Sequence, residues 1–365
     1  MNIAINGTCI NAIESGAKNR FKSIYNNLIS SNPNLQFYIL EPSDYEISNL
    51  ISKKKNLTFV KTECLSYNSI QRYIVGIKTI PSIIKKYNIE IYEQSHLPLI
   101  NLSNVKIIFT IHDIRYSNQD LGLNYFLRPS FISNFFLKAA IKKADQIITV
   151  SKTIEKEVNK IIKTKKTNVI YNPLKFSIYN EDLKEYDKNS IDLHKNTNHF
   201  LCVGSFEKRK NYEIILYSAY LLKNVNINFK FTLVGFRTKY IFKLNKIIKN
   251  LGLSNHINIH HNLTNSALIN LYKKCDIFIY PSKYEGFGIP LIEAINFNCN
   301  IILSDIKVFR EITDNNGQFF DPNSPEDLTY KIIECLVDKS KFKIDKKILN
   351  KYQISNITKS ILNLY

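Results

Sequence analysis

Short apolar runs rich in β-branched and aromatic residues, alternating with longer stretches of helical periodicity, confine this chain of 365 residues to the α/β class. In the first half the runs are Phe37 to Leu40, Ile107 to Ile111, Gln146 to Val150 and Asn168 to Tyr171. The pattern restarts at Phe200 to Val203 and continues through Phe229 to Val234 and Ile257 to His260. Runs without polar alternation suit strands buried on both faces of a parallel sheet, whose successive strands need a crossover helix between them. A restart halfway therefore predicts two doubly wound units, 1–172 and 199–350. Between them, 173–198 carries Pro173 and many charged and polar residues with little apolar periodicity, and reads as a linker. Met1 to Gly7 reads as the first strand, Arg20 to Leu28 as an amphipathic segment, and 351–365 as a helix with Ile354, Ile357, Ile361 and Leu362 on one side.

The densest chemistry lies in Tyr280-Pro-Ser-Lys-Tyr-Glu-Gly-Phe-Gly-Ile-Pro-Leu-Ile-Glu-Ala294. Asp276 to Tyr280 reads as a buried strand closed by Pro281 and Ser282, after which a turn leads into a helix through Leu291, Ile292, Ala294 and Ile295. Gly286 and Gly288 let the backbone approach a ligand, and Pro290 suits a first helical turn. The N–H groups at such a helix start favour an anion such as a pyrophosphate. Glu285 stands in the loop and Glu293 about one helical turn beyond Pro290, so both carboxylates are placed to accept hydrogen bonds from hydroxyls of one ligand. An acidic helix start that only complements the helix dipole is the competing reading.

Two further segments end strands in polar residues. Phe200-Leu-Cys-Val-Gly-Ser-Phe-Glu-Lys-Arg-Lys-Asn211 delivers Gly204 and then the cations Arg209 and Lys210 before a helical run from Tyr212 to Leu222, a plausible phosphate site that also reads as a solvated charge cluster. Val105 to Ile111 reads as a buried strand delivering His112 and Asp113 at its C-terminal end, where open α/β sheets bind ligands.

The setting Pro-Ser-x-x-Glu-Gly-Phe-Gly-x-Pro-x-x-Glu-Ala resembles the signature of retaining glycosyltransferase family 4, sugar-nucleotide-dependent enzymes of the GT-B fold, here of the bacterial surface-polysaccharide, mannosyltransferase-like type. The resemblance implies two Rossmann-like doubly wound domains facing across a cleft. The first would lie on the acceptor side, with 351–365 crossing back to it, and the second would bind the nucleotide sugar. It implies that Arg209 and Lys210 meet the donor diphosphate, and that Gly204, Gly286, Phe287, Gly288 and Ile289 line the donor. Glu285 would contact the donor sugar, Glu293 the ribose, and His112, with Asp113 beside it, the sugar and acceptor. Ser15-Gly-Ala-Lys-Asn-Arg20 is similar to the family's first βα loop, making Gly16 a donor-loop glycine. His112, Glu285 and Lys210 are the catalytic candidates. The implied reaction transfers a hexose, with GDP-mannose as first donor candidate, to a hydroxyl of a lipid-linked glycan by front-side attack with retention. Without an Asp-x-Asp motif at the site, it is expected to be metal-independent and to use no cofactor. A non-catalytic GT-B relative and a glucan-synthase-like polymerase are the alternatives. The chain departs from the family in the turn after Glu293-Ala294, where Asn296-Phe-Asn-Cys-Asn300 replaces a glycine-containing turn and Asn298 is expected to take the left-handed conformation.

The formal net charge of +19 invites a nucleic-acid reading, but only seven of the 50 basic residues are Arg and no basic stripe is interleaved with aromatics, so no nucleic-acid partner is expected. Peripheral membrane contact through 130–143 is a better match, because aromatics, aliphatics and flanking lysines combine there; a core-packing helix is the competing reading. No run approaches the roughly 20 apolar residues of a spanning helix, and no secretory signal is expected before the first strand. The six cysteines are scattered, without metal-ligand spacing, which fits buried free thiols and a reducing cytoplasm. His260 and His261 read as structural.

Overall fold

The computed structural model describes residues 1–13, 15–114, 130–174, 197–261 and 263–365, without side chains at 130–133. The chain forms two compact units, Met1–Pro173 together with Lys351–Tyr365, and Leu174–Asn350. Of the linker expected over 173–198, residues 175–196 lie outside the described residues.

The first unit begins with β1 (Asn2–Asn6), α1 (Gly16–Ser31), β2 (Gln36–Glu41), β3 (Leu57–Lys61), α2 (Ser69–Lys78) and α3 (Ile80–Lys86). It continues with β4 (Ile91–Gln94), β5 (Lys106–Ile111), α4 (Ser130–Lys143), β6 (Gln146–Thr149), α5 (Lys152–Ile161) and β7 (Thr167–Val169). In the second unit, β8 (Asn198–Val203), α6 (Tyr212–Asn224), β9 (Phe229–Val234), α7 (Ile241–Asn250), β10 (Ile257–His260) and α8 (Asn265–Lys274) come first. They are followed by β11 (Ile277–Tyr280), α9 (Ile289–Asn296), β12 (Asn300–Ser304), α10 (Lys307–Ile312), β13 (Gln318–Phe320) and α11 (Pro325–Val337). Finally α12 (Ile354–Leu362) belongs to the first unit.

Among the described residues every strand pairing is parallel. The order is β3-β2-β1-β4-β5-β6-β7 in the first sheet and β10-β9-β8-β11-β12-β13 in the second. In each, the chain winds outward from a central strand and then restarts on its other side, so the direction of winding reverses between β1 and β4 and between β8 and β11. The crevice at the C-terminal ends of those strand pairs is where doubly wound sheets accept ligands.

Burial explains the strands. In β5, Ile107, Ile108, Phe109 and Ile111 are all buried, and in β11 all four residues are, as expected of strands covered on both faces. Ile3, Ile5, Leu28 and Phe37 form one core, which Ile357 and Ile361 of α12 complete, with Thr358 Oγ1 donating to Asn27 Oδ1 at 3.0 Å. Phe200, Leu216, Phe231, Ile279 and Ile302 form the core of the second unit. Asn298 takes a φ of 59°, as its replacement of a glycine requires. Among the described residues, five other asparagines also take positive φ, in a chain with only ten glycines.

The expected membrane segment is helical, but Leu137, Ala140 and Ile141 of α4 are buried, leaving Phe135 as its exposed apolar residue in the described part. The more continuous exposed apolar stripe is on α2, where Ile70, Tyr73, Ile74 and Ile77 follow helical spacing. The Tyr73 and Phe136 rings are 6.4 Å apart, so α2 and α4 are neighbours. Among the described residues, no helix is long and apolar enough to cross a membrane.

Candidate functional site

In the second unit the reversal point is occupied by a dense ionic cluster. After β8, Gly204 leads into a single 3-10 turn, Lys208–Lys210, which stops at Asn211 because that residue is left-handed at φ 57°. Asn211 Nδ2 donates to the carbonyls of Pro281 at 3.1 Å and Pro322 at 2.8 Å, and Lys283 N donates to Arg209 O at 2.8 Å. These bonds tie the loop after β8 to the loop after β11, across the two strands where the winding reverses.

Glu285 is the hub. Its Oε1 accepts from Lys210 Nζ and, at 2.8 Å, from Ser282 Oγ; its Oε2 accepts from Arg209 Nη1 at 2.9 Å. Arg209 Nε also donates to Glu207 at 2.8 Å, and Lys210 Nζ lies 5.3 Å from the centre of the Tyr280 ring, within hydrogen-bond reach of its hydroxyl at 3.3 Å. Lys210 and Glu285 are buried, at 7% and 8% exposure. Burial alone would raise the Glu285 carboxyl, but the Lys210 and Arg209 charges, with hydrogen bonds from Lys210 and Ser282, override it and hold the group at about 2. Burial lowers Lys210, against the pull of Glu285. It also opposes the charge on Arg209, which Glu285 and Glu207 more than restore, so that guanidinium is raised. Glu285 is therefore a carboxylate at neutral pH.

Glycine is required at two places here. Gly288, with φ 125°, caps α9, and a Cβ on it would stand 3.1 Å from Phe309 Cε1. A Cβ on Gly235, at the end of β9, would fall 1.8 Å from the Gly204 carbonyl oxygen. Pro290 occupies the first turn of α9, and no side chain caps that helix start. Gly286 and Phe287 are buried in the preceding loop, and Ile289 is half-buried. Glu293, 3% exposed, lies on α9 and accepts from the Tyr272 hydroxyl at 2.9 Å. The structure thus brings Glu285, Arg209 and Lys210 into one cluster and gives Glu293 a separate partner. Ser282, Tyr280, Asn211, Tyr272 and Gly235 had not been singled out; Ser282, three residues before Glu285 in a turn, carried the clearest available signal.

In the first unit, His112 and Asp113 follow β5, both half-buried. Burial, with the field of Arg20, lowers the His112 imidazole to about 3, so it is neutral at physiological pH. Gly16 is the first residue of α1, whose cap is the Ser15 hydroxyl accepting from Lys18 N at 3.1 Å, and its φ is not left-handed. At the reversal between β1 and β4, Asn6 Nδ2 donates to Tyr92 Oη at 2.6 Å and Gln94 Oε1 at 3.0 Å, while Thr8 Oγ1 donates to Asn6 Oδ1 at 2.7 Å. None of these polar residues was expected at a site.

The six cysteines are free, and Cys275 and Cys299 lie with their sulfurs 3.8 Å apart. His261 Nδ1 lies 3.1 Å from Gly235 O and its ring packs edge-on against Phe206, contacts of a structural histidine. Among the described residues, no group of His, Cys, Asp and Glu is arranged to hold a metal ion.

Two family models match the chain. Glycosyltransferase Family 4 covers residues 39–176, and Glycosyl transferases group 1 covers 184–353. Over 237 residues the chain is 29% identical to the O-antigen chain mannosyltransferase RfbU of Salmonella typhimurium, a match spanning 62% of this chain and 63% of that relative. An uncharacterized glycosyltransferase of Methanocaldococcus jannaschii is 27% identical over 322 residues, spanning 85% of this chain and 82% of that protein. Among solved structures, a glycosyltransferase from Rickettsia africae superposes with a TM-score of 0.73 at 20% identity, covering 100% of this chain and 97% of that one. HepE of Anabaena, in complex with UDP and glucose, superposes with a TM-score of 0.74 at 15% identity, covering 100% and 99%. Matched by family models in both halves, and folded into two parallel Rossmann-like sheets, the chain belongs to glycosyltransferase family 4 of the GT-B fold.

Proposed function

We propose that this protein moves a hexosyl group from a nucleoside diphosphate sugar to a hydroxyl of a growing bacterial surface glycan, with retention at the anomeric carbon and without a metal. The observation that carries the reading is the cluster of half-buried Arg209 with buried Lys210 and Glu285 at the reversal point of the second sheet, beside the start of α9. Departure of a nucleoside diphosphate builds negative charge on its terminal phosphate. Two fixed cations and backbone N–H groups from Gly286 to Gly288 would stabilise that charge without reorganising, and most strongly where water is excluded.

Glu285 holds both cations in place before the donor arrives and meets a hydroxyl of the donor sugar. Its carboxylate, held at about 2 by its partners, is a poor nucleophile. That favours front-side attack, in which the bond from the anomeric carbon to the phosphate oxygen breaks as the acceptor oxygen bonds on the same face. The departing phosphate oxygen takes the acceptor proton. Glu293, oriented by Tyr272, takes the ribose hydroxyls, and Gly16, Gly204, Phe287 and Ile289 complete the donor set. His112, neutral at physiological pH, gives or accepts a hydrogen bond on the sugar and acceptor, with Asp113 beside it.

Relatives named as mannosyltransferases make GDP-mannose the first donor to try. A lipid-linked acceptor at the cytoplasmic face of the membrane fits the exposed apolar stripe of α2 and Phe135 of α4, as peripheral contact. The test is a thermal-shift panel of GDP-mannose, GDP, UDP-glucose and UDP on the wild type and Glu293→Ala. A Tm rise with the guanosine ligands that the variant loses supports the donor site and its base, since a ligand bound only by the folded state raises Tm by mass action. A rise confined to uridine ligands overturns GDP-mannose, and no rise with any nucleotide sinks the donor site.

A further inference from the structure

The first unit contains a buried cation for which the proposed transfer gives no role. Arg20, in the second turn of α1, is 5% exposed, and its Nη1 is enclosed with no hydrogen-bond partner among the described residues. A guanidinium offers five donors in a planar fork, and an enclosed donor without a partner keeps its full desolvation cost. If the position served packing alone, a methionine of similar reach would fill it without that cost.

Its surroundings are built. Glu93 of β4, 4% exposed, acts on Arg20 electrostatically, yet its Oε2 is taken by the Tyr365 hydroxyl at 2.8 Å and it is also held by the Tyr25 hydroxyl. Tyr25 lies on α1 and Tyr365 just beyond α12, so the carboxyl is turned to two phenols while the guanidinium fork is left incomplete. Burial pushes the Glu93 carboxyl up, against the hydrogen bonds from the two phenols and the charge of Arg20. Arg20 belongs to the helix that follows β1 and Glu93 to β4, the two strands between which the winding of the first sheet reverses. His112, half-buried at the end of β5, lies within the field of the guanidinium and is the more exposed member of the group.

We propose that Arg20 is a ligand-binding residue of the first unit that takes a phosphate oxyanion of the acceptor, entering beside His112 at the reversal between β1 and β4. Its planar fork matches two oxygens of one phosphate. The phosphate could be that of a lipid-linked diphosphate or of a free phosphorylated compound. The acceptor part of this inference rests on the transferase reading above; the anion site does not.

The experiment measures Tm for the wild type, Arg20→Met and Lys210→Met, each with inorganic pyrophosphate, geranyl diphosphate or GDP. Near 100-fold over Kd a bound anion raises the wild-type Tm by about 5 °C. The expected result is that Arg20→Met alone melts at or above the wild type, because a buried charge with an unsatisfied donor has been removed. It loses the rise with pyrophosphate or geranyl diphosphate, while Lys210→Met keeps it. A response to geranyl diphosphate but not pyrophosphate assigns the lipid-linked source, and equal responses assign free phosphate. The proposal is overturned if neither anion stabilises the wild type, if Arg20→Met keeps the rise, if Lys210→Met alone loses it, or if Arg20→Met melts well below the wild type. Loss of the GDP response in Lys210→Met tests the donor site separately, so either reading can fail alone.

Discussion

Replacing Glu285 by glutamine keeps the shape of the side chain and removes the charge that pairs with Lys210 and Arg209. The carboxyl is held at about 2 in the folded protein against an ordinary 4.5, a difference worth roughly 3 kcal/mol of stability at neutral pH. The sign follows from the direction of the shift. A depressed folded value contributes stability that is fully present above 4.5 and disappears as pH falls through about 2. At pH 3 about 1.5 kcal/mol should remain. Glu285→Gln should therefore lower the stability of the second unit by roughly 3 kcal/mol at pH 7 and by about half of that at pH 3. For a unit of this size the neutral-pH loss corresponds to a fall in Tm of about 6 to 12 °C. Urea unfolding followed by tyrosine fluorescence suits a chain with 22 tyrosines and no tryptophan. A deficit of the same size at both pH values would refute the argument, because it would mean that Glu285 acts through its shape and hydrogen bonds and not through its charge.

Three other outcomes are expected. Gly235→Ala forces a Cβ to within 1.8 Å of the Gly204 carbonyl oxygen and should cost at least about 3 kcal/mol, read as a lower urea midpoint; a neutral effect would contradict the close approach of the two backbones. Asn298→Gly, at φ 59°, should raise stability by about 0.5 kcal/mol by relieving a left-handed non-glycine residue, and a loss would show that the asparagine side chain contributes more than its conformation costs. Ile74→Glu combined with Ile77→Glu should leave Tm within about 1 °C while abolishing flotation with anionic lipid vesicles, since both residues are exposed on α2; unchanged flotation would remove that face from any membrane contact.

The sequence disclosed the fold where the chemistry was local. Strand β9 coincides with its run, and five of its six residues are buried, as in a strand covered on both faces; β10 also coincides with its run, as a half-buried edge strand. Strand β4 was not anticipated, since Glu93 and Gln94 make half of it polar, and their burial depends on partners contributed by α1, β1 and Tyr365. Strand β13 is three residues long, too short for any period to register. In the site, the motif identified Glu285 and the basic pair separately. Their pairing joins positions 75 and 76 residues apart, which no local pattern encodes. Arg20 illustrates the same limit from the other side: its sequence neighbours form an ordinary amphipathic helix, and only the packed structure reveals that its Nη1 has no acceptor among the described residues.

The side chains of Arg209, Lys210, Glu207 and Glu285 carry two positive and two negative charges, so the cluster is electroneutral although the chain as a whole is strongly basic. An anion arriving there exchanges partners with carboxylates already in place, and is held by the direction of donors more than by excess charge. If the site takes the donor as proposed, free nucleoside diphosphate, which carries more charge than the sugar nucleotide it derives from, gains little extra hold on it. Binding of this kind would change only weakly with ionic strength, and it would let the spent nucleotide leave readily, so that repeated turnover would not stall on its own product.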